Sequence, residues 1–324
     1  MSVPGSQSHA VIEPELWVEM PQGRVALFHR AGRGLPVVYV HGATFPTALS
    51  VGWDFGRAVD PVPSSERGKE AGSWMQNLAS AGLDVYSFDF LGYGASSRWP
   101  AASEPVGRVG AAAAQLAAVV DAVRNEAGVA RVGLLAHSWG TLVAGRFASH
   151  WPERVARLVL FGPITRRERA GAPGALPPTR DISAQQQWDR FQAEVPAGEA
   201  PVFSRDAFEP WAAAYLAADS ASGDRVPPTV RVPAGPFADI ADAHAGHFPY
   251  DPAGVRAPVL LIRGAWDTQA THRDVGWLAE ALAGAASVDQ VTLSRGTHVM
   301  HLESGRGRLW RQASSFLAAG SERR

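Results

Sequence analysis

Two spacings of apolar residues alternate along most of the chain. Short unbroken runs such as "PVVYV" (36–40), "RVGLLA" (131–136), "VARLVLFG" (155–162) and the start of "APVLLIRGAWD" (257–267) have no polar face, as strands covered on both sides should read. Between them, "AAAAQLAAVVDAVRNEAG" (111–128) and "GTLVAGRFASHWP" (140–152) carry apolar residues at helical spacing and stop at Gly128 and before Pro152. A shorter helix is predicted over "SWMQNLASAG" (73–82), closing at Gly82, with a strand in "DVYSFDF" (84–90) after it. Near the end, a helix through "VGWLAEALAG" (275–284), a strand in "VDQVTLSR" (288–295) and a terminal helix to about residue 319 continue the pattern. At the start, "ELWVEM" and "RVALFHR" read as an antiparallel hairpin joined at Pro21-Gln22-Gly23.

Repeated strand–helix–strand units imply an α/β fold, a mostly parallel sheet with helices on both faces. The rhythm breaks after residue 165. Residues 166–251 are rich in Pro, Ala and acidic side chains, with helical pieces in "QQQWDRFQAEV" and "AFEPWAAAYLAAD" but no run that reads as a buried strand. The expected organisation is a core of residues 1–165 and 252–324 interrupted by a helical lid of residues 166–251. Residues 55–72 read as a flexible surface loop.

Composition narrows the function classes. The 324 residues are 46% hydrophobic and 19% charged, enough for one large domain or a domain with an insertion. With Lys+Arg at 30 against Asp+Glu at 31, no basic field is available to hold nucleic acid or an anionic membrane. The absence of cysteine removes disulfides, thiolate nucleophiles and Cys-based zinc sites together. No run approaches the about 18 apolar residues of a membrane helix. The opening "MSVPGSQSHAVIEPE" has neither the basic nor the apolar segment of an export signal, so a cytoplasmic protein is expected. Eleven Trp residues hint at aromatic walls around an apolar pocket, while a purely structural role for them in the core stays open.

The candidate chemistry starts at "RVGLLAHSWGTLVAG" (131–145), where an apolar strand stops at Ala-His-Ser-Trp-Gly and a helix begins. Ala136 and Gly140 flank Ser138 at minus two and plus two. This is the G-x-S-x-G nucleophile elbow with Ala at the first small position. Such a turn strains the serine backbone and lifts Oγ above the edge of the sheet, near the positive end of the following helix. A serine hydroxyl needs a base, and the base needs an orienting acid. Both follow in the expected order, each just past a strand: Asp267 in "RGAWD" and His298 in "GTHVMHLE". Asp267 alone reads equally well as a helix cap, and His298 alone as a buried structural histidine; together at strand ends they read as a triad. The oxyanion needs two backbone N–H groups. Trp139 offers one, and the loop "HGATF" (41–45) offers the other, with Ala43 first choice and Thr44 second. His41 reads as a buttress of that loop.

With these residues in place the chain resembles an α/β-hydrolase of the lidded, esterase-like superfamily, on "HGATF", "DFLGYGASS" (89–97), "AHSWGT", "RGAWD" and "GTHVMHLE". The resemblance implies an eight-stranded, mostly parallel sheet, a Ser-His-Asp triad and no cofactor. Serine at the elbow is unlike the aspartate of haloalkane dehalogenases and epoxide hydrolases. "SWG" and the lid are also distantly similar to proline iminopeptidases, whose oxyanion loop is of the HGGPG type. An aminopeptidase would also need lid carboxylates, for which Glu194, Glu199, Asp206 and Glu209 are available, though a solvated acidic face explains them equally well.

Other signals point elsewhere. "DIADAHAGHF" (239–248) gathers Asp239, Asp242, His244 and His247, but Gly246 and Pro249 argue for an irregular lid loop and no metal is expected. "DFLGYGASS" lacks the lysine of a phosphate-binding loop and reads as a tight turn held by Asp89. His137 is expected to pack under the elbow, and His301 and Glu303 to serve packing and helix capping, with orientation of His298 or a place on the pocket wall as the alternative for one of them. Thr44, Phe45, Trp188 and Trp211 are candidate substrate contacts; Trp188, Phe191, Trp211, Tyr215 and Phe237 could face an apolar acyl or alcohol group, but most of them read better as the lid's own core. The expected activity is hydrolysis of a carboxylic ester, thioester, lactone or amide on a small-molecule substrate with an apolar acyl group. The alternatives are a lyase or cyclase on the same scaffold, an aminopeptidase-like amide hydrolase, and a non-catalytic binding protein.

Overall fold

The computed structural model describes residues 12–56, 72–168 and 174–319, so the start of the chain and most of the loop expected at 55–72 lie outside the described residues. The chain opens with an antiparallel pair, β1 (Leu16–Met20) and β2 (Gly23–Arg30), as the alternating pattern predicts. Strand β3 (Pro36–Val40) follows, buried at every position. Helix α1 (Trp74–Ser80) starts at a capping box in which Ser73 and Gln76 satisfy each other's backbone N–H groups. Then come β4 (Asp84–Phe88), α2 (Val109–Ala127), β5 (Val132–His137), α3 (Gly140–His150) and β6 (Val155–Phe161). Gly128, φ +64°, takes the left-handed position that ends α2.

After the interruption the core resumes with a ninth strand, so the inserted elements are taken first. They are β7 (Thr179–Ser183), α4 (Ala184–Gln192), α5 (Arg205–Ala217), β8 (Thr229–Pro233) and α6 (Gly235–His244). The core then continues through β9 (Val259–Gly264), α7 (His272–Ala281), β10 (Val288–Leu293) and α8 (Arg306–Ala318).

Two expectations for the insertion need correction. It is not all helical: β7 and β8 pair antiparallel from Thr179 opposite Pro233 to Ser183 opposite Thr229. "TRDIS" and "TVRVP" hide this ribbon because its outer face is charged, with Arg231 Nε bonded to Asp181 at 2.7 Å. Nor is "DIADAHAGHF" irregular at its start. Asp239 through His244 belong to α6, and the breakers Gly246 and Pro249 fall after its end.

Eight strands form the main sheet in the order β1-β2-β4-β3-β5-β6-β9-β10, and the strands from β4 to β10 in this order are parallel. β1 and β2 add antiparallel at one edge. Helices α1 and α8 pack on one face, where the Trp74 and Trp310 rings stack at 6.1 Å, and α2, α3 and α7 on the other. The chain leaves β3 for β4 on one side and returns to β5 on the other, which opens a crevice at the carboxyl ends of β3 and β5. Because the strands are parallel, the segments after β3, β4, β5, β6, β9 and β10 all emerge at that edge. Among the described residues no helix is long and apolar enough to cross a membrane.

Candidate active site

Ser138 follows the last residue of β5 with φ +54°, one of two non-glycine residues with positive φ among those described. Left-handed backbone at a serine costs about 1–2 kcal/mol, and the surroundings hold it there. Its N–H donates to the Phe161 carbonyl at 3.2 Å, and its own carbonyl accepts from Thr141 Oγ1 at 2.5 Å. Gly140 must be glycine, since a Cβ there would lie 2.5 Å from the His41 carbonyl oxygen and 2.6 Å from that of Val40.

The other two predicted residues meet this serine. His298 Nε2 lies 2.8 Å from Ser138 Oγ, and His298 Nδ1 lies 3.1 Å from each Asp267 oxygen. With Nδ1–H donating to the carboxylate, Nε2 carries a lone pair and accepts from the serine hydroxyl. Asp267 is further held by the N–H groups of Gln269 at 2.8 Å and Ala270 at 2.9 Å. Burial opposes ionisation of both side chains. Their mutual attraction prevails, holding Asp267 below and His298 above their ordinary values.

The loop after β3 is clamped from three sides. His41 Nδ1 donates to the Gly42 carbonyl at 2.7 Å, and Nε2 accepts from the Phe90 N–H at 3.1 Å. Burial lowers His41 to about 4, so this neutral tautomer persists near neutrality. The Tyr93 hydroxyl donates to the Ala43 carbonyl at 2.7 Å. His41 is thus the buttress its sequence position predicts. The Trp139 ring is buried against Phe90, centroids 5.1 Å apart, and its indole N–H donates to Asp239 on α6 at 2.9 Å. Asp239 also accepts from Arg108 Nε at 2.5 Å and the Val109 N–H at 2.7 Å. It seats α6 beside the elbow, and among the described residues no group of three or more side chains is arranged to hold a metal.

The remaining predicted contacts divide. Thr44 and Phe45 lie on the loop after β3, with Phe45 edge-on to Trp211 at 5.3 Å and to Phe191 at 6.2 Å. Trp211 is fully buried at the seam between insertion and core, as its core reading expects. Tyr215 stacks on it at 5.2 Å, Phe208 at 5.7 Å, and its Nε1 donates to the Leu49 carbonyl at 3.0 Å. Trp188 is half-buried beneath the Arg205 guanidinium, 4.9 Å away.

Glu194 and Gly162 matter at the site in ways no sequence signature shows, while Glu303 and His137 are both singled out by their positions. Glu194, just beyond α4, accepts from the His298 backbone N–H at 2.6 Å and from the Thr268 N–H and hydroxyl at 2.9 and 2.6 Å. It ties the insertion to both the acid and the histidine loops. Gly162, φ +53°, leaves room beside the pair: a Cβ there would stand 3.1 Å from His298 Nδ1 and 3.3 Å from Asp267 Oδ2. Glu303 is buried with the Thr297 hydroxyl and N–H on its carboxyl, and burial pushes it up to about 8. His137 Nε2 donates to the His298 carbonyl at 2.8 Å.

Residues 65–225 match the model of the alpha/beta hydrolase fold family. Over the whole sheet the chain superposes on a thioesterase domain from the curacin biosynthetic pathway, TM-score 0.59, 16% identical, covering 94% of this chain and 99% of that one. The chain has the α/β-hydrolase fold. A second α/β hydrolase of similar structure is the monoacylglycerol lipase of Paleococcus ferrophilus, TM-score 0.54, 20% identical, covering 91% and 98% of the two chains. In sequence, the chain is 30% identical over 146 residues to the (lyso)-N-acylphosphatidylethanolamine lipase of Mus musculus. That match covers 44% of this chain and 40% of the length of its relative.

Proposed function

We propose that this α/β hydrolase is a serine hydrolase that cleaves a carboxylic ester or thioester through an acyl-enzyme. The observation that carries the reading is the unbroken hydrogen-bonded line from Ser138 Oγ through His298, 2.8 Å on one side and 3.1 Å on the other, to Asp267. His298 Nε2 takes the proton as Ser138 Oγ attacks the acyl carbon, and Asp267 stabilises the imidazolium that forms. The N–H groups of Ala43 and Trp139 hold the oxyanion, with the N-terminus of α3 adding its dipole. Collapse expels the alcohol or thiol, protonated by His298. Water then enters, gives its proton to the same Nε2, and releases the acid.

The names of the relatives, lipase and thioesterase, favour this bond class. An aminopeptidase reading is less well supported. Of the lid carboxylates it would need, Glu194 is bonded to the core, Glu199 pairs with Arg295 at 3.0 Å and Glu209 with Arg205 at 3.6 Å. Asp206 sits in the first turn of α5.

The test is hydrolysis of p-nitrophenyl butyrate by the wild type and by Ser138→Ala. The variant is expected to lose at least about 10³-fold in kcat while keeping its circular dichroism. Equal rates in the two proteins would remove Ser138 from the mechanism.

A further inference from the structure

We infer that Arg190 is an anion-recognising residue of this site, selecting esters whose acyl or alcohol portion carries a carboxylate or phosphate. This inference rests on the serine-hydrolase reading. Residues 187, 190 and 191 of α4 share one helix face, spaced by three and four. From that face Arg190 reaches across to the loop after β3, where Nη2 donates to Thr44 Oγ1 at 2.9 Å and to Gln187 Oε1 at 2.8 Å. Thr44 is the neighbour of Ala43, about 3.8 Å away between Cα atoms. The guanidinium therefore stands next to the proposed oxyanion donor.

Both partners of Arg190 are neutral, and among the described residues no carboxylate lies within ion-pair distance of it. Three other arginines of the insertion are paired, Arg167 with Asp274 at 2.6 Å, Arg225 with Asp219 at 2.8 Å and Arg231 with Asp181 at 2.7 Å, whereas Arg190 lies over the Phe191 ring at 5.2 Å and feels the Glu194 carboxylate only at longer range. The two hydrogen bonds use only Nη2, which leaves Nε–H and both Nη1–H donors without an acceptor among the described residues. Arg190 keeps an exposed surface. Surrounding protein nevertheless desolvates it enough to bring the guanidinium down to about 10, still fully charged at neutral pH. Its free donors are thus open to a ligand beside the loop after β3.

The charge is felt at the reacting centre. It makes His298, His137 and His301 all harder to protonate. His301 is buried, held neutral with a value of about 3, and neither of its ring nitrogens has a hydrogen-bond partner. The buried His301 imidazole is costly to leave unmatched, and the exposed Arg190 guanidinium keeps three donors free for a ligand. A substrate oxyanion supplies an acceptor, and a charge-assisted bond to Arg is strong and geometrically selective.

The experiment measures kcat/KM for matched pairs. On the acyl side, p-nitrophenyl hemiglutarate is compared with p-nitrophenyl pentanoate. On the alcohol side, a lysophosphatidic acid is compared with the monoacylglycerol of the same chain. The expected result is an anionic-to-neutral ratio above one in the wild type on at least one side. That ratio should fall at least tenfold in Arg190→Met, mainly through KM, and recover in part in Arg190→Lys. The side that responds identifies where the anion sits. A wild-type ratio of one or below on both sides, or a ratio unchanged by Arg190→Met, overturns the inference and leaves Arg190 as a lid fastener on Thr44. If the wild type cleaves none of the four esters, the serine-hydrolase reading fails separately. Calorimetric binding of glutarate and of glycerol 3-phosphate to Ser138→Ala then decides the inference: binding of either that disappears in Ser138→Ala/Arg190→Met upholds it, and binding of neither, or binding indifferent to Arg190, overturns it.

Discussion

Strain at Ser138 and space at Gly162 are complementary requirements of one small volume. The elbow holds Ser138 at φ +54°, while Gly162, after the neighbouring strand, leaves the gap that the His298–Asp267 pair fills. Gly162→Ala would place a methyl group 3.1 Å from His298 Nδ1 in a left-handed backbone. It should cost about 1–2 kcal/mol in urea unfolding and lower kcat on the order of 10²-fold through displacement of the imidazole. Unchanged kinetics in this variant would show that the imidazole tolerates the shift. Ser138, Asp267 and His298 are legible in the sequence because each stands at the end of an apolar run and the three follow in a recognisable order. Gly162 and Arg190 are not, since the first matters only for a contact with residue 298 and the second only for one with residue 44. Nothing local distinguishes either from an ordinary turn glycine or a solvated arginine.

The inserted segment between β6 and β9 acts on the core through a few polar fasteners. Glu194 joins it to the loops that carry Asp267 and His298, and Asp239 joins α6 to the indole of Trp139. Glu194→Ala leaves the His298 and Thr268 N–H groups without their acceptor, a loss of about 1–3 kcal/mol. The expected outcome is a lower melting temperature together with at least a tenfold fall in kcat, read by differential scanning fluorimetry and steady-state kinetics on the same preparation. A fall in stability with kcat intact would make Glu194 purely a structural tie. The helices α4 and α5 are visible in the sequence through their apolar spacing. The ribbon of β7 and β8 is not, because a two-stranded element with a charged outer face has no continuous apolar run to reveal it. Helix α6 is obscured by the glycine and proline that lie just past its end.

In the molecule as a whole, the parallel sheet gathers six strand ends at one edge, and buried titratable groups gather there with them. Glu303 is the clearest case. Folding raises its carboxyl from an ordinary 4.5 to about 8, so between those values the folded protein binds more protons than the unfolded chain. Stability contributed by this group is therefore complete below about pH 4.5 and is lost as pH rises toward 8, by at most ~1.4 kcal/mol per pH unit. Glu303→Gln removes the titration, and urea unfolding from pH 5 to 8 should show a shallower decline than the wild type. Parallel curves would place the titration elsewhere. Sheet order, crossover connections and the edge that carries the site follow from alternation of apolar strands and helices, which is why the core is readable before its contacts are known.

The central claim is that Ser138 is a nucleophile activated by His298, and its most direct measurement is intact-mass analysis after incubation with a fluorophosphonate. One adduct per chain is expected on the wild type, mapped to the peptide containing Ser138, with none on Ser138→Ala and at least about 10³-fold slower labelling of His298→Ala. Labelling of Ser138→Ala at the wild-type rate, or a wild type that resists the reagent altogether, would contradict the account.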